Sequence, residues 1–246
     1  MKKMLKIISV ILIFIFVVSC AKKENEMSKY TVNHINKDFK IDANWSKSPW
    51  DSTKAINIDK NSWEKPKYLP KTQVKMLYSD SSIYVIFKAK ERFIRSSVQK
   101  INGPTYRDSA VEFFFTPGTD IKNGYFNLEI NCGGIPYMGF QKGFKIDFKQ
   151  IDENDIKKIK IAHTLPSRIV EEIPEETDWV LECKIPINML EKYSPVTKPK
   201  QGVIWRANFY KTADTTTNPH YLSWNKIVNN SPNFHLPRFF GYLIFN

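Results

Sequence analysis

The chain has 246 residues, and its 37 lysines and arginines outnumber its 25 acidic residues, which gives a formal charge of +12. Its three cysteines and four histidines form no CxxC or HExxH motif, so no metal site is indicated. Lysine and arginine are not clustered among aromatic residues, so the basic charge predicts a solvated surface rather than a nucleic-acid interface.

Residues 1–19 predict an export signal, because a basic start precedes the apolar stretch Ile7 to Val18. Cys20 follows directly, and a cysteine after small and apolar residues resembles the lipobox of bacterial lipoproteins, where the cysteine is acylated. A transmembrane anchor is the alternative, but the apolar stretch is short for spanning a bilayer. We therefore expect a lipid anchor at Cys20, and in a Gram-negative cell Ala21 favours the outer membrane, on its periplasmic or cell-surface side.

Residues 20–29 are polar and aperiodic, which predicts a tether that holds a folded domain, residues 30–246, away from the lipid. Loss of the signal removes three lysines and leaves a formal charge of +9. A length of roughly 215 residues suits one domain. No internal repeat argues for more than one domain.

Seven short segments rich in Val, Ile, Phe and Tyr predict strands, and clusters of Asp, Ser, Gly and Pro separate them. They are TQVKMLYSD, SIYVIFKAK, AVEFFFTP, GYFNLEINCGG, DWVLECKIP, VIWRANFYK and FGYLIFN. This spacing predicts an all-β fold, an antiparallel β-sandwich of jelly-roll type. Short helical pieces are expected only within residues 147–160 and after Pro186.

Cys132 and Cys183 lie in or beside predicted strands. In an oxidising compartment they can form a disulfide. Two strand cysteines also occur as buried thiols, and the sequence cannot place them within bridging distance, so both alternatives stay open.

No catalytic centre is visible in the sequence. A glycosidase needs two carboxylates at a fixed separation, and nothing in the sequence brings Glu112 and Glu129 together, although both lie in predicted strands. The histidines are scattered, and no serine lies in a Gly-x-Ser-x-Gly motif.

Binding of sugars is better supported, because aromatic rings stack on pyranose rings while carboxylates and amides hydrogen-bond to hydroxyls. Tyr106 and Arg107 precede a strand in which alternation puts Glu112 on one face. Asn127 and Glu129 share a face of the next strand, together with Asn131.

Each of these residues also has a structural alternative. Glu112 can be a buried carboxylate paired with Arg107 or Arg206. The polar face that carries Asn127 and Glu129 can be a solvated outer face. Late in the chain, NPHYLSWNKI places His220 and Trp224 in an expected loop, which makes Trp224 the best stacking candidate among the tryptophans.

In this order the segments resemble family 9 carbohydrate-binding modules, particularly those in bacterial lipoproteins, from about Phe39 to Phe245. The resemblance rests on IDANWSKSPW, TQVKMLYSDSSIYVIFKAKE, YRDSAVEFFFTP, YFNLEINCGG, WVLECKIP, WRANFYK and FHLPRFFGYLIF. It implies a jelly-roll β-sandwich, often with structural calcium, that clamps a sugar between two aromatic rings beside a glutamate.

Carried over by position, the resemblance places the first ring at Tyr106, the glutamate at Glu112 and the second ring at Trp224. Asn208 lies near a family amide. Asn127 or Glu129 lies near the position of a family arginine, and Ala43 stands where the family has an opening glycine.

The resulting expectation is a non-catalytic, membrane-anchored lipoprotein that binds glycans for glycoside hydrolase partners in polysaccharide catabolism. No cofactor is expected beyond the structural calcium, and no nucleic acid. Two alternatives remain, a glycoside hydrolase that hydrolyses O-glycosyl compounds and a structural outer-membrane interaction protein.

Overall fold

The computed structural model describes residues 27–246, so the predicted export signal and Cys20 lie outside the described residues. The elements of this part are β1 (Lys29–His34), β2 (Ile56–Asn57), β3 (Lys60–Asn61), β4 (Lys71–Tyr78), β5 (Ser82–Glu91), β6 (Ile94–Ser96), β7 (Ala110–Thr116), β8 (Tyr125–Asn131), β9 (Pro136–Gln141), β10 (Lys149–Gln150), α1 (Glu153–Ile156), β11 (Lys160–His163), β12 (Ile169–Ile173), β13 (Thr177–Pro186), α2 (Ile187–Leu190), β14 (Ile204–Ala213), β15 (His220–Ser223) and β16 (Gly241–Phe245).

The strands form two layers that share β1. Sheet 1 has the order β10-β9-β8-β7-β14-β16, with β15 paired to β14 and β3 paired to β15, and sheet 2 has the order β4-β5-β13-β11, with β2 beside β4. The first four residues of β1 pair with β16, and Asn33 and His34 pair with β4. The neighbours within each sheet are antiparallel, whereas β1 is parallel to both of its partners.

A continuous apolar core fills the space between the layers. Phe87 of β5 lies 6.1 Å from Phe209 of β14, measured between ring centroids, and Tyr78 of β4 lies 5.0 Å from Phe245 of β16. The seven predicted strand segments correspond to β4, β5, β7, β8, β13, β14 and β16. The predicted short helical pieces correspond to α1 and α2.

Strand β7 shows how the aromatic run AVEFFFT divides between the two faces of sheet 1. Phe113 and Phe115 join the core between the sheets, whereas Phe114 joins a second cluster on the outer face. Glu112 has the same parity as Phe114, so alternation turns its carboxyl group to the outer face as well.

The segment before β2 is held to sheet 2 by Glu182 of β13. Its carboxylate accepts hydrogen bonds from the backbone N–H groups of Asp42 and Ala43, at 2.8 Å each, and from Trp50 Nε1 at 2.7 Å. Ala43 has φ +57°, a left-handed conformation that favours glycine. This backbone conformation explains why the family has a glycine at the position of Ala43.

A buried ion pair joins the two layers at one end of the core. Lys211 Nζ of β14 lies 2.9 Å from Glu91 Oε1 of β5, and neither side chain is exposed. Lys211 also donates to His220 Nε2 at 3.0 Å. Burial and the neighbouring ammonium group lower the pKa of His220 well below its usual value, so the imidazole is neutral.

The two cysteines of the domain are free and buried. Of the two alternatives that the sequence left open, the structure therefore has buried thiols. Burial raises the pKa of Cys183 to about 12, and it raises that of Cys132 as well, so neither thiol is a reactive thiolate. Within residues 27–246, no helix has the length and apolar character needed to cross a bilayer.

Replacing Lys211 by methionine is expected to lower the free energy of unfolding by about 3 to 5 kcal/mol, because it leaves the Glu91 carboxylate buried without a cation. Urea denaturation measures the loss. The double variant Glu91→Gln/Lys211→Met removes both charges and should recover at least half of it. Equal instability of the single and double variants would contradict a role for the charge pair.

Candidate functional site

Four side chains form a row across the outer face of sheet 1. Strand register places Tyr210 of β14 opposite Glu112, Glu112 opposite Glu129 of β8, and Glu129 opposite Tyr137 of β9. Asn127 lies two residues before Glu129 and donates a hydrogen bond to its Oε1 at 3.0 Å. We call Glu112, Asn127 and Glu129 the polar floor.

The polar floor is buried, and within residues 27–246 neither of its glutamates forms an ion pair. Glu112 is 3% exposed and Glu129 is 6% exposed. Glu129 also accepts a hydrogen bond from Thr105 Oγ1 at 3.4 Å, whereas no donor among residues 27–246 reaches the carboxyl group of Glu112. Burial raises the pKa of Glu129 to about 7, and burial together with the Glu129 charge raises that of Glu112 well above its usual value.

Tyr106 lies in a turn beside this face, where its neighbour Thr105 bonds to Glu129, and the aspartate two residues later fixes that turn. The Asp108 carboxylate is fully buried and accepts hydrogen bonds from the N–H groups of Ser97 and Val98, at 3.0 and 2.8 Å, and from Asn131 Nδ2 at 2.9 Å. A one-turn 3-10 helix, Thr105–Arg107, therefore has a fixed position against β8. The Tyr106 ring remains 41% exposed and can contact a ligand.

The other side of the polar floor is flanked by Tyr137 and Phe148. Gly139 of β9 has no side chain, and a Cβ atom there would lie 2.7 Å from Phe148 Cε2 and 2.9 Å from Asn127 Oδ1. Phe148 thus lies over Gly139 beside the floor, with 43% of its surface exposed. We call Tyr106, Tyr137 and Phe148 the rim aromatics.

Tyr137 and Phe148 are residues that the sequence analysis missed. Tyr137 lies in IPYMGFQ, where apolar residues alternate after Gly133-Gly134, a signal for a hairpin with the preceding strand. Phe148 lies in an irregular loop, and its placement over Gly139 has no local sequence signal.

The far end of the same face is closed by the segment between β15 and β16. Phe234 stacks on Tyr210 with ring centroids 4.0 Å apart, and Phe240 joins the same cluster with Phe114 and Tyr125. Beside the polar floor, by contrast, the rings of Tyr106 and Phe148 remain exposed.

The prediction that Trp224 is the second wall of a sugar clamp is wrong. Its side chain is 5% exposed and belongs to the core between the sheets, 5.8 Å from Phe209 by ring centroids. The Trp224 N–H continues the β15 ladder by donating to the Phe209 carbonyl, so its ring follows Leu222 to the inner face. A Cβ on Gly241 would lie 2.8 Å from the Trp224 ring, which shows how closely the ring is packed.

Two further predicted ligand contacts are structural. His220 is 1% exposed and hydrogen-bonded to Lys211 and the Asn218 carbonyl, so it faces the core. Asn208 is fully buried, and its side chain bonds to both the N–H and the carbonyl of Asn225, each at 2.9 Å. It anchors the segment after β15 instead of facing a ligand.

The alternative in which an arginine neutralises Glu112 is also wrong. Arg206 donates to the carbonyls of Phe240 and Gly241 and lies over the Tyr242 ring. Arg107 follows Tyr106 and is exposed, at the edge of the face, and forms no ion pair with Glu112. Tyr106, Glu112, Asn127 and Glu129 are the predicted residues that the structure brings together.

A structural calcium ion, which the family resemblance implies, needs several oxygen ligands around one point. Among residues 27–246, no group of three His, Cys, Asp or Glu side chains converges in this way. Two buried carboxylates are already neutralised by ammonium groups, Glu91 by Lys211 and Asp155 by Lys158 and Lys192. The structural calcium that the resemblance implies therefore stays a prediction.

The chain belongs to carbohydrate-binding family 9, whose sequence profile matches residues 49–245. The resemblance noted from the sequence is thereby confirmed. The chain is also 23% identical over 205 residues to a protein of Arthroderma benhamiae described as an extracellular protein, which covers 80% of this chain and 87% of that one.

Solved structures share the fold. A candidate carbohydrate-binding protein from Bacteroides uniformis is 26% identical with a TM-score of 0.81, over 90% of this chain and all of that one. A family 9 module from Caldicellulosiruptor kristjanssonii, in complex with glucose, is 14% identical with a TM-score of 0.61, over 89% of this chain and 96% of the module. A family 9 module from the same organism, in complex with cellotriose, is 14% identical with a TM-score of 0.57, over 89% of this chain and 93% of that one. These matches confirm the predicted all-β sandwich.

Truncating Trp224 to alanine is expected to lower the free energy of unfolding by about 3 to 5 kcal/mol, because it empties a large volume of the core. Urea denaturation tests this directly. Truncating a surface ring that only contacts a ligand would lower the free energy of unfolding by no more than about 0.5 kcal/mol. A loss that small in Trp224→Ala would indicate that Trp224 is a surface residue available for binding.

Proposed function

We propose that this protein is a non-catalytic glycan-binding protein whose site is the polar floor and the rim aromatics of sheet 1. The observation that carries the proposal is the exposed Tyr106 ring beside buried carboxyl and amide groups that retain hydrogen-bonding capacity. A sugar offers an apolar C–H face for such a ring and hydroxyl groups for such a floor.

Support also comes from the relatives. The chain belongs to a carbohydrate-binding family, and family 9 modules from Caldicellulosiruptor kristjanssonii were solved with glucose and with cellotriose. We extend the proposal to the biological setting that the sequence predicts, a lipoprotein anchored through Cys20 in the outer membrane that captures glycans for hydrolase partners.

A glycoside hydrolase is the second candidate, because the structure brings Glu112 and Glu129 opposite each other on adjacent strands. The two carboxyl groups project from the same face of one sheet and are almost completely buried. A hydrolase instead needs its carboxyl groups on either side of the scissile bond. Reducing-sugar release from a polysaccharide panel that Glu112→Gln abolishes would favour the hydrolase over the binding protein.

Replacing Tyr106 by alanine is expected to weaken glycan binding by about 1 to 3 kcal/mol, roughly 5- to 150-fold in Kd, by analogy with base stacking on aromatic rings. A glycan array of the mature chain identifies the ligand, and calorimetric titration measures Kd, which we expect to be micromolar to millimolar. Tyr106→Phe keeps the ring and should retain most of the affinity.

The matched control is Val170→Ala, which truncates a 52% exposed side chain on β12. It should bind like the wild type. Unchanged affinity in Tyr106→Ala would refute the role of Tyr106 as a stacking residue. Absence of binding to every glycan on the array would favour the structural interaction protein.

Phe148→Ala is expected to weaken binding of an oligosaccharide by about 1 kcal/mol or more, because it removes the aromatic surface beside Asn127. Ile146→Ala is the control, since Ile146 is 62% exposed in the same loop but has no ring. Equal losses in the two variants would indicate a general effect of the loop and not a stacking contact.

A further inference from the structure

The two acids of the polar floor are immediate neighbours. Glu112 and Glu129 are directly opposite each other on antiparallel strands. Residues in this arrangement have Cβ atoms about 4.5 to 5.5 Å apart. Because both side chains are more than nine-tenths buried, the carboxyl groups interact in a medium that screens charge poorly.

Among residues 27–246, no basic side chain bonds to this pair from the outer side. Strand β14 contributes Tyr210 and strand β9 contributes Tyr137, whose pKa burial raises to about 12. The turn before β7 contributes Tyr106, and Thr105 and Asn127 donate hydrogen bonds to Glu129.

The nearest cation, Lys211, belongs to the opposite face of sheet 1. It follows Tyr210 on β14, so it points between the sheets, where it bonds to Glu91 at 2.9 Å and to the Thr212 carbonyl at 2.8 Å. Its charge opposes the rise in the pKa of Glu112 but does not cancel it. Arg107, at the exposed edge, makes no ion pair with either acid.

Two like charges at this separation in a buried site cannot both ionise near neutral pH, as in the carboxyl dyads of aspartic proteases. We propose that Glu112 stays protonated at neutral pH and shares one proton with Glu129, which makes the site selective for neutral glycans. The protonated carboxyl group donates a hydrogen bond and the carboxylate accepts one, which matches two adjacent sugar hydroxyls. A uronate would bring a second negative charge onto the same floor.

This inference rests on the proposed function for its ligand, but the shared proton can be tested without one. An acid whose pKa is higher in the folded than in the unfolded chain stabilises the fold below the unfolded pKa. That contribution is lost as the pH rises through the folded pKa, which for Glu129 is about 7. The wild type should therefore lose stability relative to Glu112→Gln/Glu129→Gln between about pH 5 and pH 7, by roughly tenfold in the unfolding constant per pH unit for each retained proton.

Asp155→Asn is the control for this measurement. Lys158 and Lys192 hold the pKa of Asp155 well below its usual value, so the variant should follow the wild-type profile over the same pH range. A wild-type profile parallel to that of the double glutamine variant would overturn the shared proton.

Binding measurements test the specificity. With a neutral glycan whose binding depends on Tyr106, Glu112→Gln should weaken binding at neutral pH less than Glu112→Ala does, because the amide N–H replaces the acid as donor. Glu112→Ala should lose about tenfold or more, and the corresponding uronate should bind the wild type at least about tenfold more weakly than the neutral sugar.

Several binding results would overturn the proposal in whole or in part. Equal losses in Glu112→Gln and Glu112→Ala would identify Glu112 as an ionised acceptor. Tighter binding of an amino sugar as the pH rises, or binding that requires calcium, would show a doubly ionised pair. Failure to bind any glycan would refute the proposed function and the specificity with it, while the stability profiles would still decide whether the proton is shared.

Discussion

The burial of two adjacent carboxyl groups on one face of sheet 1 is the constraint on which the rest of the structure depends. Glu112 and Glu129 can be held there because their strands are fixed from the other side. Phe113, which follows Glu112, and Leu128, which precedes Glu129, lie in the core between the sheets, where Phe113 stacks on Phe209 at 4.9 Å. An apolar core thus supports a polar floor that has no stabilising ion pair of its own.

The polar residues at this face are of two kinds. Some have all their hydrogen bonds made by the protein, and others keep hydrogen-bonding groups available to a ligand. Asp108, Asn131 and Asn208 have their hydrogen bonds filled by the protein, and each fixes a loop that borders the outer face. Glu112 has no such partner among residues 27–246. Unused hydrogen-bonding capacity, more than polarity, distinguishes a candidate binding residue from a structural one at this face.

Local sequence pattern predicted what depends on alternation within a strand. Alternation correctly predicted that Asn127 and Glu129 share one face of their strand and that Glu112 lies on one face of its own. That Glu112 lies opposite Glu129 could not be predicted, because it depends on the register between β7 and β8. The local pattern failed for Trp224, where the polar residues around the tryptophan indicated a loop. The same alternation, counted from Leu222, would have placed that ring in the core. Phe148 could not be found locally, because its position depends on Gly139 in a different element.

The charge of the protein and the charge of its site have opposite signs, and the fold keeps them apart. The domain surface is basic, which attracts anionic lipids and polysaccharides at long range. The cations nearest the floor are occupied elsewhere, Lys211 by Glu91 between the sheets and Arg206 by the carbonyls of Phe240 and Gly241. The basic surface therefore attracts anionic ligands at long range, whereas the acidic floor favours neutral sugars on contact. An anionic polymer drawn to the surface meets a floor that already holds one negative charge, and only a neutral segment of it can reach Glu112.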